Sequence, residues 1–416
     1  MTQTKVTQAK VTHERALIIG AGVAGPITAM ALQRAGIEAT IYEAYPTTAH
    51  GVGAFMGLAI NGLDALGAIE LCRPVQAVGV ATPRMAMYNG AGRVLVDMAN
   101  GPALPDGTVT LTIRRADLYE VLHEEASRRG IRIEYGKRLV AVEPSERGVV
   151  ARFADGSTAT GGLLIGADGM RSQVRKLIDP RAPAPEFVGL VGTGGYARGV
   201  RSAVRPGTFH FVFGKRGFFG YMGAGSGEVW WFANEPWASE PTSAELAAMS
   251  GDESRQRLLK LFADDATPAC EIIEASHDNV GWLPMHAMAA PASWHRDRMV
   301  LVGDAAHVTS PSSGQGASLA IEDALTLARC LRDLPDHRAA FTLYQRLRHE
   351  RVQKVYEHAK KINASKAAGP IGRVFRDLLM PVFAKQLAKP EAQAWLHGYH
   401  IEFDQPAERG PTPVAA

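Results

Sequence analysis

The stretch ALIIGAGVAGPITAMALQRAGIEATIYEA, Ala16–Ala44, reads as strand, helix and strand in succession. Ala16 to Ile19 is a short apolar run ending in glycines, as a buried parallel strand does. Pro26 to Ala35 has helical composition, with Pro26 tolerated in the first turn. Glu38 to Glu43 forms the next strand and delivers an acid to its end. Gly20, Gly22 and Gly25 make a GxGxxG turn between strand and helix. There the first glycine permits the turn, the second lets the backbone approach a pyrophosphate, and the third lets helix and strand pack closely. The helix N-terminus around Ala24 offers unpaired amides to the phosphates. Glu43 is placed to accept hydrogen bonds from an adenosine ribose, and a carboxylate there disfavours a 2′-phosphate, so the crevice suits FAD or NAD better than NADP.

Two further segments repeat the pattern of an apolar strand running into glycine. GADGMRSQVR (Gly166–Arg175) places Asp168 where it can bond backbone or ribose, with Arg171 and Arg175 available for phosphate, substrate or salt bridges. LVGDAAHVTSPSSGQGASLAIEDA (Leu301–Ala324) brings Asp304 to the carboxyl end of a strand, then a glycine-rich loop, then a helix from about Gly316. An aspartate there can bind polyol hydroxyls, and the amides of Gly316 and Ala317 can face negative charge developing on a flavin ring.

Between these segments the pattern changes. Asn61 to Leu71 is expected to be a helix, and Gln76 to Met98 and Gly107 to Arg114 contain short β-like runs. A helix is expected from Arg115, and a hairpin at Val140–Val142 and Val149–Phe153. From about Pro183 to His286 come short aromatic strands, FHFVF (Phe209–Phe213), GFFGYM (Gly217–Met222) and EVWWF (Glu228–Phe232), interrupted by one amphipathic helix over roughly Thr242 to Ala263. Period-two alternation puts Phe209, Phe211 and Phe213 on one face and His210 and Val212 on the other. Phe211, Arg216, Tyr221, Trp230 and Trp231 are candidates to touch an aromatic or acidic substrate. His210 and His307 are expected to be structural.

The expected fold is α/β: a Rossmann-like FAD-binding domain interleaved with a mainly antiparallel β-sheet substrate domain, followed by C-terminal helices. The segments run 14–75 (cofactor, first part), 76–114 (substrate-domain strands), 115–182 (cofactor, second part), 183–286 (substrate sheet), 287–365 (cofactor, third part), 366–403 (helical region) and 404–416 (a disordered tail, from its Pro, Gly and Ala content). The substrate site belongs at the domain seam. The C-terminal helices are amphipathic enough to cover the substrate domain or to make a dimer surface.

The chain's 416 residues, 46% of them hydrophobic, suffice for a large core. A net charge of only +3, spread along the chain, gives no electrostatic case for nucleic acid. Cys72, Cys270 and Cys330 are far apart and offer neither a disulfide framework, a zinc cluster nor a redox pair. No 18-residue apolar run or signal-like leader is present, which favours a cytoplasmic protein without integral membrane association.

On GAGVAG at Gly20, GADG at Gly166 and GDAAHVTSPSSGQGASLAIEDA at Gly303, in that order, the chain resembles the single-component, group A FAD-dependent aromatic monooxygenases related to para-hydroxybenzoate hydroxylase. The resemblance covers about Ala16 to Arg351. It implies FAD as cofactor, NADPH or NADH as transient co-substrate and O2 as oxidant. It also implies transfer of one oxygen atom to an aromatic or polyketide-like molecule through a flavin C4a-hydroperoxide, most simply as hydroxylation. Carried over residue by residue, Glu43 resembles the ribose acid and Arg115, or its neighbour Arg114, the arginine that reaches the diphosphate. Asp168 resembles the second-motif aspartate and Asp304 the aspartate binding the ribityl and diphosphate part. Pro311, Gly314, Gln315 and Gly316 resemble the loop beside the isoalloxazine, and Ala317 and Ser318, next in sequence, are cofactor-binding candidates with it. Ser318 stands where many relatives carry asparagine, and Ser310 where some carry a second proline. The fold also accommodates an oxidase or dehydrogenase, an epoxidising or Baeyer-Villiger enzyme, or a noncatalytic FAD sensor, as a monomer or homodimer.

Overall fold

The structure is a computed structural model describing residues 15–47, 54–145, 148–202, 204–225, 227–387, 389–409 and 412–413. Its first layer is a six-stranded sheet ordered His295–Arg296, Met299–Leu301, Leu163–Gly166, Ala16–Ile19, Ala39–Tyr42, Arg132–Glu134. All pairings in it are parallel except the first, at the edge. Three of the four central strands are buried along their full length, which is why they read as unbroken apolar runs. The three motif segments leave the carboxyl ends of three adjacent strands of this sheet, so pieces nearly 300 residues apart in sequence converge on one crevice.

The second layer is a seven-stranded sheet ordered Ser276–Ala287, Glu186–Arg198, Glu228–Pro236, Phe218–Gly223, Thr208–Phe213, Arg84–Asn89, Val94–Ala99, antiparallel except where Thr208–Phe213 meets Arg84–Asn89. Helices Gly251–Phe262 and Ala269–Glu274 cover one face, where Val212, Phe219, Tyr221 and Trp231 are buried with Phe262 and Ile272. The opposite face carries Phe209, Phe211, Phe218, Trp230 and Phe232 and meets Phe55 of the short strand Phe55–Leu58, whose Leu58 is buried in the core that packs the first sheet.

Four local expectations are corrected. The helix expected over Asn61–Leu71 is Ile60–Gly67; the chain then turns through Glu70 at φ 60°, and Gln76 lies in a second helix, Cys72–Val78, instead of a strand. The helix expected over Thr242–Ala263 is two, Ser243–Ala248 and Gly251–Phe262. Ser250 and Glu253 form a second capping box inside the amphipathic pattern, as Thr242 and Glu245 do at its start; each box satisfies helix-initial amides and so starts a helix. The start of the tail, expected to be disordered from Asp404, is docked as far as Ala407, while 410, 411 and 414–416 lie outside the described residues. Phe403 and Ala407 are buried, Arg329 and Arg332 donate to the carbonyls of Gln405 and Pro406, and the Ala407 amide donates to Asp333 at 2.7 Å.

The helix Pro370–Leu387 covers one end of the second sheet with Met380, Ala384 and Arg376. Its other side exposes Ile371, Val374, Phe375, Leu378, Leu379, Val382 and Phe383. No helix among the described residues is long and apolar enough to cross a membrane.

Candidate cofactor and substrate site

The turn after Ala16–Ile19 is built for close approach. Gly20 has φ 106°, and a Cβ there would sit 2.4 Å from the Ala167 carbonyl oxygen; at Gly25 it would sit 1.9 Å from that of Gly20. At Gly22 a Cβ would meet nothing within 4 Å, so the backbone is open on that side. The helix Ala24–Arg34 has no side-chain cap at its N-terminus, so its first amides and positive dipole end face the crevice unopposed. Glu43 accepts from the Ala21 amide at 2.7 Å and the Tyr45 amide at 2.9 Å, tying the end of the second strand to the glycine turn. His123 Nε2 lies 2.7 Å from the Ala21 carbonyl oxygen and its Nδ1 3.0 Å from the Tyr135 hydroxyl, so a second pair supports the turn. Sequence reasoning passed over both, because neither lies in a motif.

In GADG, Asp168 faces backbone: it accepts from the amides of Gln173 and Val174 at 2.7 and 3.1 Å and from the Ser172 hydroxyl, capping Gln173–Ile178. Burial pushes its carboxyl above the usual range. Arg175, itself buried, donates to the Ala305 carbonyl at 2.9 Å and to that of Met170, so it clasps the second motif to the third. Asp304 is exposed, yet the protein packed around it desolvates the carboxyl and raises its pKa against the opposing pull of His307, Arg115 and Arg175.

Behind this crevice lies a buried ion network. Asp323 accepts from the Gly303 amide at 3.0 Å, from Arg348 at 2.7 Å and lies 2.6 Å from His307 Nε2. Glu322 is 2.7 Å from Arg348, receives two 2.7 Å hydrogen bonds from Arg351, and accepts from Asn61 at 2.6 Å. Asn61 also donates to Gln315 at 3.0 Å. Burial opposes ionisation of both acids, but the guanidiniums, with His307 beside Asp323 and Arg351 beside Glu322, outweigh it and hold them below the usual carboxylate range. The network therefore fixes both ends of the third motif, Gly303 and His307 at the start and Gln315 at the end. Between them Pro311–Ser313 forms a single turn and Gly314 reverses the chain at φ 63°. Gly316–Asp333 then begins without a side-chain cap, its N-terminus toward this loop. Ser318 is buried against Gly62, where an added Cβ would lie 2.6 Å from its hydroxyl.

The two adjacent arginines part company. Arg115 opens Arg115–Arg128, donates to the Tyr119 hydroxyl at 2.9 Å and adds its charge to the field at Asp304. Arg114 turns toward the second sheet, pairing with buried Glu228 and lying over the rings of Tyr196 at 4.6 Å and Trp230 at 5.2 Å. Glu228 also accepts from Trp230 Nε1 at 2.8 Å. Phe211 belongs to the aromatic face: it stacks on Phe209 at 4.7 Å and meets Phe232 edge-on at 6.5 Å, while Phe55 reaches Phe209, Trp230 and Phe232.

Three of the candidates for substrate contact lie elsewhere. Tyr221 pairs with His210 in register and stacks on it at 4.7 Å, on the helix-covered side of the sheet. Period two puts Phe218, Gly220 and Met222 on the aromatic side and Tyr221 opposite. Arg216 donates to the carbonyls of Leu261 and Lys260 at the end of Gly251–Phe262 and pairs with Asp264 at 3.0 Å. Trp231, also on the helix side, bonds Ser276.

The crevice fits a dinucleotide on its own features: uncapped amides at Ala24 and Gly316, an open backbone at Gly22, and buried polar atoms of Arg115, Thr309 and Ser318 without a hydrogen-bond partner among the described residues. No group of histidine, cysteine and acidic side chains able to hold a metal occurs among them.

Residues 14–359 match the model of a family described as FAD binding domain. The chain is 31% identical over 338 residues to aurachin C monooxygenase/isomerase of Stigmatella aurantiaca, covering 81% of this chain and 85% of that protein. It is 32% identical over 411 residues to 3-amino-4-hydroxybenzoate 2-monooxygenase PtmB3 of Streptomyces platensis, covering 92% and 96%. Among solved structures, a single-residue variant of Klebsiella pneumoniae HpxO complexed with FAD superposes with a TM-score of 0.82 at 25% identity, covering 92% of this chain and 99% of that one.

Proposed function

From the premise that the chain belongs to the group A FAD-dependent aromatic monooxygenases, we propose that it uses NADH or NADPH and O2 to hydroxylate an aromatic or polyketide-like compound held between the Phe55–Phe209–Phe232 face and the Pro311–Gly316 loop. The enzyme is an FAD-dependent monooxygenase; the co-substrate, the pocket and the residue roles are the proposal. The observation that carries it is the closure of an aromatic sheet face against Phe55, in the strand whose Leu58 is buried in the core that packs the first sheet.

The amides at Gly22, Ala24 and Gly25 would hold the diphosphate, with Gly20 shaping the turn. Glu43 would accept from the adenosine ribose, and Arg115 and Asp304 would hold the diphosphate and ribityl part. Asp168 supports from behind as a helix cap. Pro311, Gly314, Gln315, Gly316, Ala317 and Ser318 would line the ring. Bound FAD supplies the two-electron redox chemistry and the activation of dioxygen. The chain supplies three things to it. Amides at the start of Gly316–Asp333 stabilise negative charge on a ring placed against them. The Asn61–Gln315 contact keeps that helix start in position. The aromatic face excludes water and orients a flat substrate. The substrate class rests on the aromatic lining and on relatives such as the 3-amino-4-hydroxybenzoate 2-monooxygenase.

The test is anaerobic mixing of the FAD-loaded protein with NADH and, separately, NADPH, with and without 3-amino-4-hydroxybenzoate, other phenols and polyketides, following flavin absorbance. Reduction by one coenzyme, accelerated by an aromatic panel member, is expected. Absence of reduction under every pairing counts against the reading.

A further inference from the structure

Lys366, the last residue of the helix His337–Lys366, is absent from every sequence motif and points at the aromatic face. Its ammonium lies 4.1 Å from the Phe218 ring centroid and 5.5 Å from that of Phe232, and donates to Asn234 Oδ1 at 2.9 Å. One turn earlier on the same helix, Asn363 accepts from the Ser310 hydroxyl at 2.9 Å. Residues three apart share a helix face, so a single face spans from the loop preceding Pro311 to the aromatic sheet. Phe232 in turn touches Phe55, Phe209 and Phe211. The ammonium is thus part of the enclosure proposed for the substrate.

The charge there is incompletely matched. Lysine has three donors; this one is partly buried, and among the described residues one neutral acceptor and two ring faces answer it. Desolvation lowers its pKa to about 7, and no carboxylate among the described residues opposes it. A desolvated cation without a counter-charge is costly, and cation–π contacts offset only part of that cost. Arg348 and Arg351, behind the cofactor crevice, have carboxylates, and Arg175 has two carbonyl acceptors within the cofactor motifs.

We propose that Lys366 is the anchor for an anionic oxygen of the aromatic substrate, a carboxylate or an ionised ring hydroxyl, received at the Phe218–Phe232 edge of the enclosure. The proposal rests on the aromatic site described above and narrows its ligand to aromatic anions. Where that oxygen is a ring hydroxyl, the ammonium favours its ionised form, and the phenolate ring is the more electron-rich one for attack by an electrophilic oxygen donor.

The test is equilibrium titration of the FAD-loaded full-length protein, read by perturbation of the oxidised flavin spectrum. The probes are 4-hydroxybenzoate, the neutral 4-hydroxybenzamide and 4-nitrophenolate; the proteins are wild type, Lys366→Met and Lys366→Arg. Wild type is expected to bind at least one anion about tenfold or more tighter than the amide. Lys366→Met should lose that preference while keeping amide affinity and FAD content, and Lys366→Arg should retain most of it. Loss confined to 4-hydroxybenzoate identifies a carboxylate site, and loss confined to 4-nitrophenolate an ionised-hydroxyl site. An equal anion preference in wild type and Lys366→Met, or no response of the wild-type flavin to either anion, overturns the proposal. Amide affinity lost together with anion affinity in Lys366→Met, leaving the preference unchanged, assigns Lys366 to packing and overturns the proposal. Binding is read without turnover, so failure of NAD(P)H reduction sinks the activity reading separately.

Discussion

Replacing Arg348 by methionine removes the cation shared by Glu322 and Asp323 while keeping most of the side chain's volume. Arg348 is fully buried, as are both acids, and sits 2.7 Å from each. Breaking a buried ion pair from one side costs about 3–5 kcal/mol, because the remaining charge has no water to replace its partner. Here Glu322 keeps Arg351 and Asn61, whereas Asp323 keeps only His307 and the Gly303 amide. The loss therefore falls mainly on Asp323, and the lower end, about 3 kcal/mol, is the expected cost. Asp323 holds the start of GDAAH, so FAD affinity should fall with stability, by about tenfold for each 1.4 kcal/mol transmitted to the site. Urea unfolding of the apoprotein followed by tryptophan fluorescence reads the first quantity, and FAD titration the second. A triple variant, Arg348→Met with Glu322→Gln and Asp323→Asn, removes the stranded charges and should recover part of the stability. A single variant less than about 1 kcal/mol down, with FAD affinity unchanged, refutes the view that this network holds the cofactor loop in place.

Gly25→Ala drives a methyl to within 1.9 Å of the Gly20 carbonyl oxygen, so it should cost on the order of 2 kcal/mol or more and abolish FAD retention on gel filtration; retention at wild-type level contradicts the packing role. Asp304→Ala should weaken FAD binding at least about tenfold, the size of one lost charge-assisted hydrogen bond, and an unaltered affinity and flavin spectrum removes Asp304 from the site. His210 is buried, and burial, with Arg205 adding to it, depresses its folded pKa to about 4 from 6.5. The unfolded chain therefore takes up a proton that the folded one refuses, so His210 costs nothing above pH 6.5 and progressively more stability as pH falls toward 4, reaching roughly 3 kcal/mol. His210→Phe should lack that component, and identical pH–stability slopes in both proteins between those limits refute it.

What the sequence revealed divides by range. Ala16–Glu43 was readable because strand, turn, helix and ribose acid follow one another, and each glycine has a local reason. The Leu301–Ala324 segment was readable for the same cause. Whether Tyr221, Trp231 and Arg216 meet substrate or packing was not legible, because alternation shows which residues share a face, while only strand pairing and the packing of Gly251–Phe262 show which face is covered. The choice between Arg114 and Arg115 depended on Glu228, more than 100 residues away. The docking of Gln405–Ala407 was not legible because the carbonyls of Gln405 and Pro406 are satisfied by Arg329 and Arg332, whose reach no composition records. Lys366 carried no signal at all: its meaning comes from Phe218, Phe232 and Asn234 in a different layer.

The most direct measurement is turnover of the best panel aromatic under heavy-isotope dioxygen, with the product analysed by mass spectrometry. One labelled oxygen atom per product molecule, with NAD(P)H consumed in step, is the predicted result. A dehydrogenated product free of label, with all the dioxygen recovered as hydrogen peroxide, would contradict monooxygenation and make the same fold serve an oxidase.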